Sequence, residues 1–169
     1  NLVVGGGNRL AAAAARAVAE SPGSTYNPLF IYGGTGLGKT HLMGAIAHHA
    51  KALQAEIETE YLSLDEFMNQ MHAAISAGQL DTFAHKYERM GLLLLDDVQF
   101  LAGRRETQGE LLRLFERMQT QGRQIVLTSD RPPVEIADVD ERLISRLSGG
   151  LIVDITAPDF ETRVAILRA

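Results

Sequence analysis

Eight consecutive residues carry the clearest chemistry in the chain: Gly33-Gly34-Thr35-Gly36-Leu37-Gly38-Lys39-Thr40 matches the spacing G-x-x-x-x-G-K-[ST]. Each part has a physical reason. Glycines allow positive φ, so successive backbone N–H groups can turn inward towards phosphate oxygens. A helix opening at the lysine adds its N-terminal dipole. The Lys39 ammonium would neutralise the terminal phosphates of a nucleoside triphosphate, and the Thr40 hydroxyl would ligate magnesium. The expectation is a site for ATP or ADP with Mg2+, its nucleotide-binding residues being Gly34, Thr35, Gly36, Leu37, Gly38, Lys39, Thr40 and His41. A chance glycine-rich turn is the alternative; the apolar strand before the loop, the helix after it and the full match argue against it.

A second signal is the apolar run Leu92-Leu93-Leu94-Leu95 ending in Asp96-Asp97. A strand that ends in acid puts a carboxylate beside the metal, so Asp96 is the expected partner of Mg2+, acting through water. Asp97 would then face the last phosphate and orient the attacking water as a base, though it is shorter than the glutamate usual there. The plain alternative is a strand followed by an acidic turn. Thr128-Ser129-Asp130 closes the next apolar run. A polar group at that height can touch the terminal phosphate or the water, with Asp130 ahead of Thr128 and Ser129; alone, the triplet would be a capping cluster.

Arg142 and Arg146 are four residues apart and share one helix face. That face has no evident reach to a phosphate of its own molecule, which suggests arginines supplied in trans to a neighbour's nucleotide. Two solvated arginines, one paired with Asp138 or Glu141, is the other reading. His48 and His49 point apart on a helix and cannot share a metal; with His41 they have a plainer reading as surface or packing residues. The Phe67, Met71, Ile75 stripe reads as core, and Arg104-Arg105 as solvated charge.

Strand ends and helix starts must hold these residues, and the chain alternates accordingly. A helix is predicted over 8–20, closed by Ser21-Pro22-Gly23, then a strand over 29–32 and a helix over 39–53. Ile57, Thr59 and Tyr61 alternate as a strand with one exposed face. Ser63 and Glu66 form a capping box ahead of a helix bearing Phe67, Met71, Ala74 and Ile75, ended by Gly78. Leu80, Phe83, Ala84 and Tyr87 mark a further helix, and 92–95 a strand buried on both faces. Thr107 and Glu110 read as a second capping box before Leu111, Leu114, Phe115 and Met118. Strands over 124–128 and 151–155 flank a short helix over 140–148. Such alternation predicts an α/β fold, a P-loop NTPase with a central parallel sheet flanked by helices. Ligands of such sheets sit at the carboxyl ends of the strands, where all three motifs fall.

The bulk numbers agree. At 169 residues, 46% apolar and with a net charge of −5, the chain is one soluble domain's worth and no basic cloud for nucleic acid, so any DNA contact needs a local patch. With no cysteine there is no disulfide framework or thiolate zinc site, which fits a reducing cytoplasm. No apolar run approaches the roughly 20 residues of a membrane span. The chain starts in mid-pattern and stops within a helical stretch lacking a C-cap glycine, so an excised domain, 1–169, is expected.

Longer wording is more specific. Tyr26-Asn27-Pro28-Leu29-Phe30-Ile31-Tyr32-Gly33 runs into Gly36-Leu37-Gly38-Lys39-Thr40-His41-Leu42. Leu95-Asp96-Asp97-Val98-Gln99-Phe100-Leu101 and Leu127-Thr128-Ser129-Asp130-Arg131-Pro132 follow, then Glu161-Thr162-Arg163-Val164-Ala165-Ile166-Leu167. In wording and order these blocks resemble the bacterial chromosomal replication initiators, the DnaA family of the AAA+ class. The resemblance implies an ATPase core in which ATP drives head-to-tail self-assembly at the origin and duplex opening, while slow hydrolysis resets it.

By the same resemblance Asp130 holds the sensor-one position, Arg146 the inter-subunit arginine finger and Arg142 a neighbouring arginine that supports assembly. The helices at about 65–89 look like the initiator-specific element that grips single-stranded DNA. His72 stands where the family often has a small apolar residue. The loop reads Arg104-Arg105-Glu106-Thr107 where relatives often read Lys-Glu-Arg-Thr, with Arg104 matching the lysine, so Arg104 and His72 are the possible single-strand contacts. The family's helical lid would follow Ala169, and origin duplex recognition would need a further C-terminal domain. A helicase loader of the same class is the alternative, and a pure interaction module without hydrolysis a third reading.

Overall fold

A computed structural model of the chain describes residues 8–34, 36 and 38–156. Thr35 and Leu37 of the loop, the opening residues 1–7, and the block 161–167 lie outside the described residues.

The first helix, α1 (Arg9–Glu20), turns Ala11, Ala14, Ala15, Val18 and Ala19 inward. This is the i, i+3, i+4, i+7 stripe of an amphipathic helix, and its small residues let α1 lie close on α2 (Lys39–Leu53). Strand β1 (Leu29–Tyr32) precedes α2. Next come β2 (Thr59–Ser63), α3 (Leu64–Ser76), α4 (Leu80–Glu88) and β3 (Leu92–Asp96). A short 3-10 turn (Val98–Leu101) leads to α5 (Arg105–Thr120), and β4 (Gln124–Ser129) runs to a second 3-10 turn (Pro133–Glu135). Helix α6 (Glu141–Leu147) and β5 (Leu151–Asp154) complete the described elements.

The five strands form one parallel sheet in the order β2-β3-β4-β1-β5. Side chains alternate across it, so each strand feeds two cores. Leu29, Ile31, Leu92, Leu94, Val126 and Val153 pack with α1 and α2 on one face. Phe30, Leu93, Leu95, Ile125 and Leu127 pack with α3, α5 and α6 on the other. Coverage on both faces is why β3 is an unbroken apolar run.

Between β2 and β3 the chain inserts two helices instead of one. Phe67 of α3 and Phe83 and Tyr87 of α4 form a triangle of rings with centroids 5.0 to 5.7 Å apart. Glu88 at the end of α4 pairs with Arg117 of α5. Tilted and edge-on rings at such distances add stabilisation beyond their buried area. Phe67→Ala is expected to cost about 3–5 kcal/mol, the usual range for a buried phenylalanine, because Phe67, one corner of that triangle, is 1% exposed. Chemical denaturation checks this, and an unchanged midpoint would show that the rings do not anchor the pair.

Three expectations are corrected. The strand after α2 begins at Thr59, so Ile57 precedes it; the parity that buries Leu62 leaves Tyr61 43% exposed. On α3 the core stripe stops at Met71, and Ile75 in the last turn is 38% exposed. Thr107 and Glu110 are not a capping box: α5 begins at Arg105 with Arg104 in the N-cap position and no side-chain cap. Gln108 sets that start. Its Nε2 donates to the carbonyls of Leu101 (2.7 Å) and Asp138 (3.0 Å), and its Oε1 accepts from the Asp140 amide (3.0 Å). Of the expected Ser63–Glu66 capping box the structure shows the Ser63 half, with the Glu66 amide donating to Ser63 Oγ at 3.1 Å.

Candidate nucleotide-binding site

The loop leaves β1 through Gly33, whose amide donates to the Ser129 carbonyl at 3.2 Å. A Cβ on Gly33 would stand 2.6 Å from the Ile155 carbonyl, so packing demands glycine there. Gly36 (φ 79°) and Gly38 (φ 97°) are glycine for a different reason. A Cβ on either would meet no atom within 4 Å, yet the left-handed backbone excludes most side chains. Gly38 is the N-cap of α2, so the positive end of a 15-residue helix faces the loop. Lys39 is 8% exposed, and its Nζ donates to the carbonyls of Gly33 (2.6 Å) and Gly34 (2.8 Å).

Asp96 ends β3 at 4% exposure with hydroxyls on both oxygens. Thr40 Oγ1 (2.8 Å) and the Tyr61 hydroxyl (2.6 Å) donate to Oδ2, and Thr128 Oγ1 donates to Oδ1. A buried carboxylate needs such donors. Asp97 follows in a left-handed conformation (φ 61°, ψ 49°) and starts the 3-10 turn. Its amide donates to Thr128 Oγ1 at 3.0 Å. Gln99 bridges outward: Nε2 approaches Asp97 Oδ1 at 3.4 Å, and Oε1 accepts from the Asp130 amide at 3.3 Å.

The Asp130 carboxylate takes Nε and Nη2 of Arg131 at 2.7 and 2.9 Å. That pairing holds its pKa below the usual carboxylate value, with Lys39 a lesser contributor. Gly36, Gly38, Lys39, Thr40, His41, Asp97 and Asp130 line one open cleft of about 560 Å3 together with Gln99 and Phe100. Of the Thr128-Ser129-Asp130 triplet only Asp130 lines the cleft; Thr128 and Ser129 are fully buried.

The hydroxyl of Tyr61 is pushed up to about 12 by burial and then by its bond to Asp96. Burial, followed by the negative charge of Glu60 and Glu66, pushes Tyr87 to about 12 as well. A raised pKa favours the neutral form, so this contribution to stability is complete below the unfolded value near 10 and is lost as pH rises from there through about 12. An absorbance titration of the native protein is therefore expected to show Tyr61 and Tyr87 ionising late, and Tyr61→Phe to remove one late step. A titration unchanged by Tyr61→Phe above the ordinary tyrosine range would contradict this assignment.

The two arginines of α6 lie elsewhere. Arg142 pairs with Asp140, the N-cap of its own helix, at 3.2 Å, and not with Asp138 or Glu141; Asp138 takes Arg105 at 3.5 Å instead. Arg146 reaches Gln119 Oε1 (3.4 Å) and Glu116 Oε1 (3.5 Å). Both line an open groove of about 720 Å3 that shares no residue with the cleft. Arg104 and His72 are exposed, on the N-cap of α5 and on α3, and neither borders the cleft. Tyr61, Gln99 and Phe100 were not anticipated; the only hint for Tyr61 was strand alternation, which says nothing about what its face meets.

Among the described residues no group of three or more His, Cys, Asp or Glu side chains could hold a metal. The Thr40 hydroxyl and the Asp96 carboxylate are an all-oxygen pair, the chemistry magnesium takes when phosphates and water supply the remaining ligands. No described helix is long and apolar enough to cross a membrane.

The family profile of the bacterial DnaA ATPase domain matches residues 1–154. The chain belongs to the DnaA ATPase domain family. Domain III of the Thermotoga maritima replication initiation protein DnaA is 42% identical, with a TM-score of 0.95 over 99% of this chain and 70% of that one. A replication initiator DnaA bound to AMPPCP and single-stranded DNA is 42% identical at a TM-score of 0.93, matching 99% of this chain. This chain spans about half (52%) of that structure. The DnaC helicase loader, 14% identical at a TM-score of 0.78, shares the fold alone. The fold of this DnaA-family domain is thus that of an AAA+ P-loop NTPase, as expected.

Proposed function

We propose that this chain is the ATP-binding and hydrolysing core of a bacterial replication initiator, acting as an assembly switch. The observation that carries the reading is the convergence of Lys39, Thr40, Asp96 and Asp97 on the carboxyl ends of β1 and β3 in a DnaA ATPase domain. The backbone from Gly34 to Gly38 and the start of α2 cradle the phosphates, with Thr35, Leu37 and His41 contributing. Lys39 gives its charge to the terminal phosphates. Thr40, and Asp96 through water, would hold magnesium, which would neutralise developing phosphate charge. Asp97 accepts a proton from the attacking water at its carboxylate, and Asp130, linked to it through Gln99, senses the terminal phosphate.

The relative bound to AMPPCP and single-stranded DNA supports a nucleotide and a single strand as ligands here too. The single strand is read by the inserted α3–α4 pair, with Arg104 and His72 as contacts. Arg146, supported by Arg142, is the finger offered to a neighbour's nucleotide in a head-to-tail oligomer. Its groove is separate from the cleft, which suits action in trans. Residues 1–169 form the cytoplasmic protein's nucleotide-binding unit, and origin duplex recognition belongs to a further domain. The helicase-loader alternative is weaker, because the loader shares only fold at 14% identity whereas the initiators share 42%.

The test is a titration of the chain with fluorescent ATP and ADP, in magnesium and in EDTA. Tight binding strengthened by magnesium in wild type, and loss of that strengthening in Asp96→Asn, is the expected result. No binding, or equal losses in both conditions, would overturn the reading.

A further inference from the structure

Behind the cleft lies a buried hydroxyl that no phosphate-sensing role accounts for. Thr128 lies on the central strand β4, beside β1 through the pair Ile31–Thr128 and beside β3, where Leu95 pairs with Leu127. It is fully buried, and its Oγ1 contacts both acids of the β3 end. The direction of these bonds is settled by chemistry. A backbone amide can only donate, so Thr128 Oγ1 accepts from Asp97 at 3.0 Å. A threonine hydroxyl has one proton, and here it goes to Asp96 Oδ1. No proton is left to offer a phosphate oxygen.

We propose that Thr128 is a positioning residue, a hydroxyl relay that sets Asp96 and Asp97 in one arrangement for the metal-nucleotide site. On Asp96, Oδ2 already accepts from Thr40 and Tyr61, so Thr128 is the only protein donor to Oδ1 among the described residues. Three donors on two oxygens fix the rotation of the carboxylate and leave one lone pair of Oδ1 for a metal-bound water. On Asp97, the same oxygen caps an amide whose residue sits at φ 61°, a conformation aspartate keeps only where surroundings impose it. One hydroxyl therefore couples the metal-side acid to the water-side acid. The inference rests on reading the cleft as a magnesium–nucleotide site and deepens it.

Thr128→Val removes the hydroxyl at nearly constant volume, and Thr128→Ser keeps it. Binding of fluorescent ATP is measured for wild type and both variants, in magnesium and in EDTA. Thr128→Val is expected to weaken binding in magnesium about ten- to a hundredfold, the effect of losing a hydrogen bond to a buried charge. In EDTA it should match wild type, and Thr128→Ser should stay within about threefold in both. An unaffected valine variant, equal losses with and without magnesium, or a serine variant as impaired as valine would each overturn the relay. Amide hydrogen exchange of Asp97 in the wild-type, nucleotide-free chain needs no variant. The relay requires protection at this rim position, and exchange at an open-chain rate refutes it. Wild type failing to bind ATP would instead overturn the functional reading, and the exchange measurement would still decide the relay.

Discussion

Lys39→Ala is expected to lower ATP affinity at least about a hundredfold while the protein stays folded. The ammonium has three donors and spends two on the carbonyls of Gly33 and Gly34, which keeps the third, and the charge, at the mouth of the loop. A hydrogen bond from a charged group contributes roughly 1.5–3 kcal/mol, up to about a hundredfold in affinity, and loss of the positive charge among phosphates adds to it. Lys39 belongs to neither hydrophobic cluster, so truncation leaves both cores intact. Fluorescent ATP binding read beside thermal melting separates the two effects. Submicromolar binding by a folded variant would remove Lys39 from the site.

Arg146→Ala is expected to behave in the opposite way: unchanged ATP affinity in the isolated chain, and no ATP-dependent assembly in the whole protein. In this structure the Arg146 side chain is 46% exposed, and its guanidinium rests on Glu116 and Gln119 at 3.4 to 3.5 Å. An exposed pair at that distance is worth little, about 0–1 kcal/mol, so a neighbour's phosphates can draw the side chain away cheaply. The charged contact it would make there is worth roughly 1.5–3 kcal/mol, about ten- to a hundredfold at each interface, and it multiplies along an oligomer. Sedimentation with ATP, ADP and a DNA single strand reads the outcome. Assembly like wild type, or loss of ATP binding by the monomer, would end the reading of Arg146 as a finger.

How much of this could be read from sequence depends on how local each signal is. The loop was legible because Gly33, Gly38, Lys39 and Thr40 act through their own backbone and the helix they open. Strand β3 was legible because burial on both faces writes an unbroken run of leucines. Cores two-sided about a parallel sheet follow from that alternation. The hydroxyl set on Asp96 was not legible, since Thr40, Tyr61 and Thr128 come from three elements that only strand order and register bring together. The start of α5 was misread for a related reason. The local pattern at Thr107 and Glu110 looked like a cap, yet the side chain of Gln108 reaching the Asp138–Asp140 segment decides where that helix begins. Arg142 chose Asp140 over both anticipated acids because that residue is the N-cap two positions before it.

Strand order carries one more consequence, for synthesis on the ribosome. The loop strand β1 lies between β4 and β5, so Leu29 waits for Val126 on one side and Leu151 on the other. At about 5–20 residues per second, the glycine loop is made several seconds before either neighbour of its strand exists. Pairings so distant along the chain are slow to close. A nascent chain thus carries the complete phosphate-binding motif while unable to hold a nucleotide with it, and ligand cannot act as a template for the early stages of its folding.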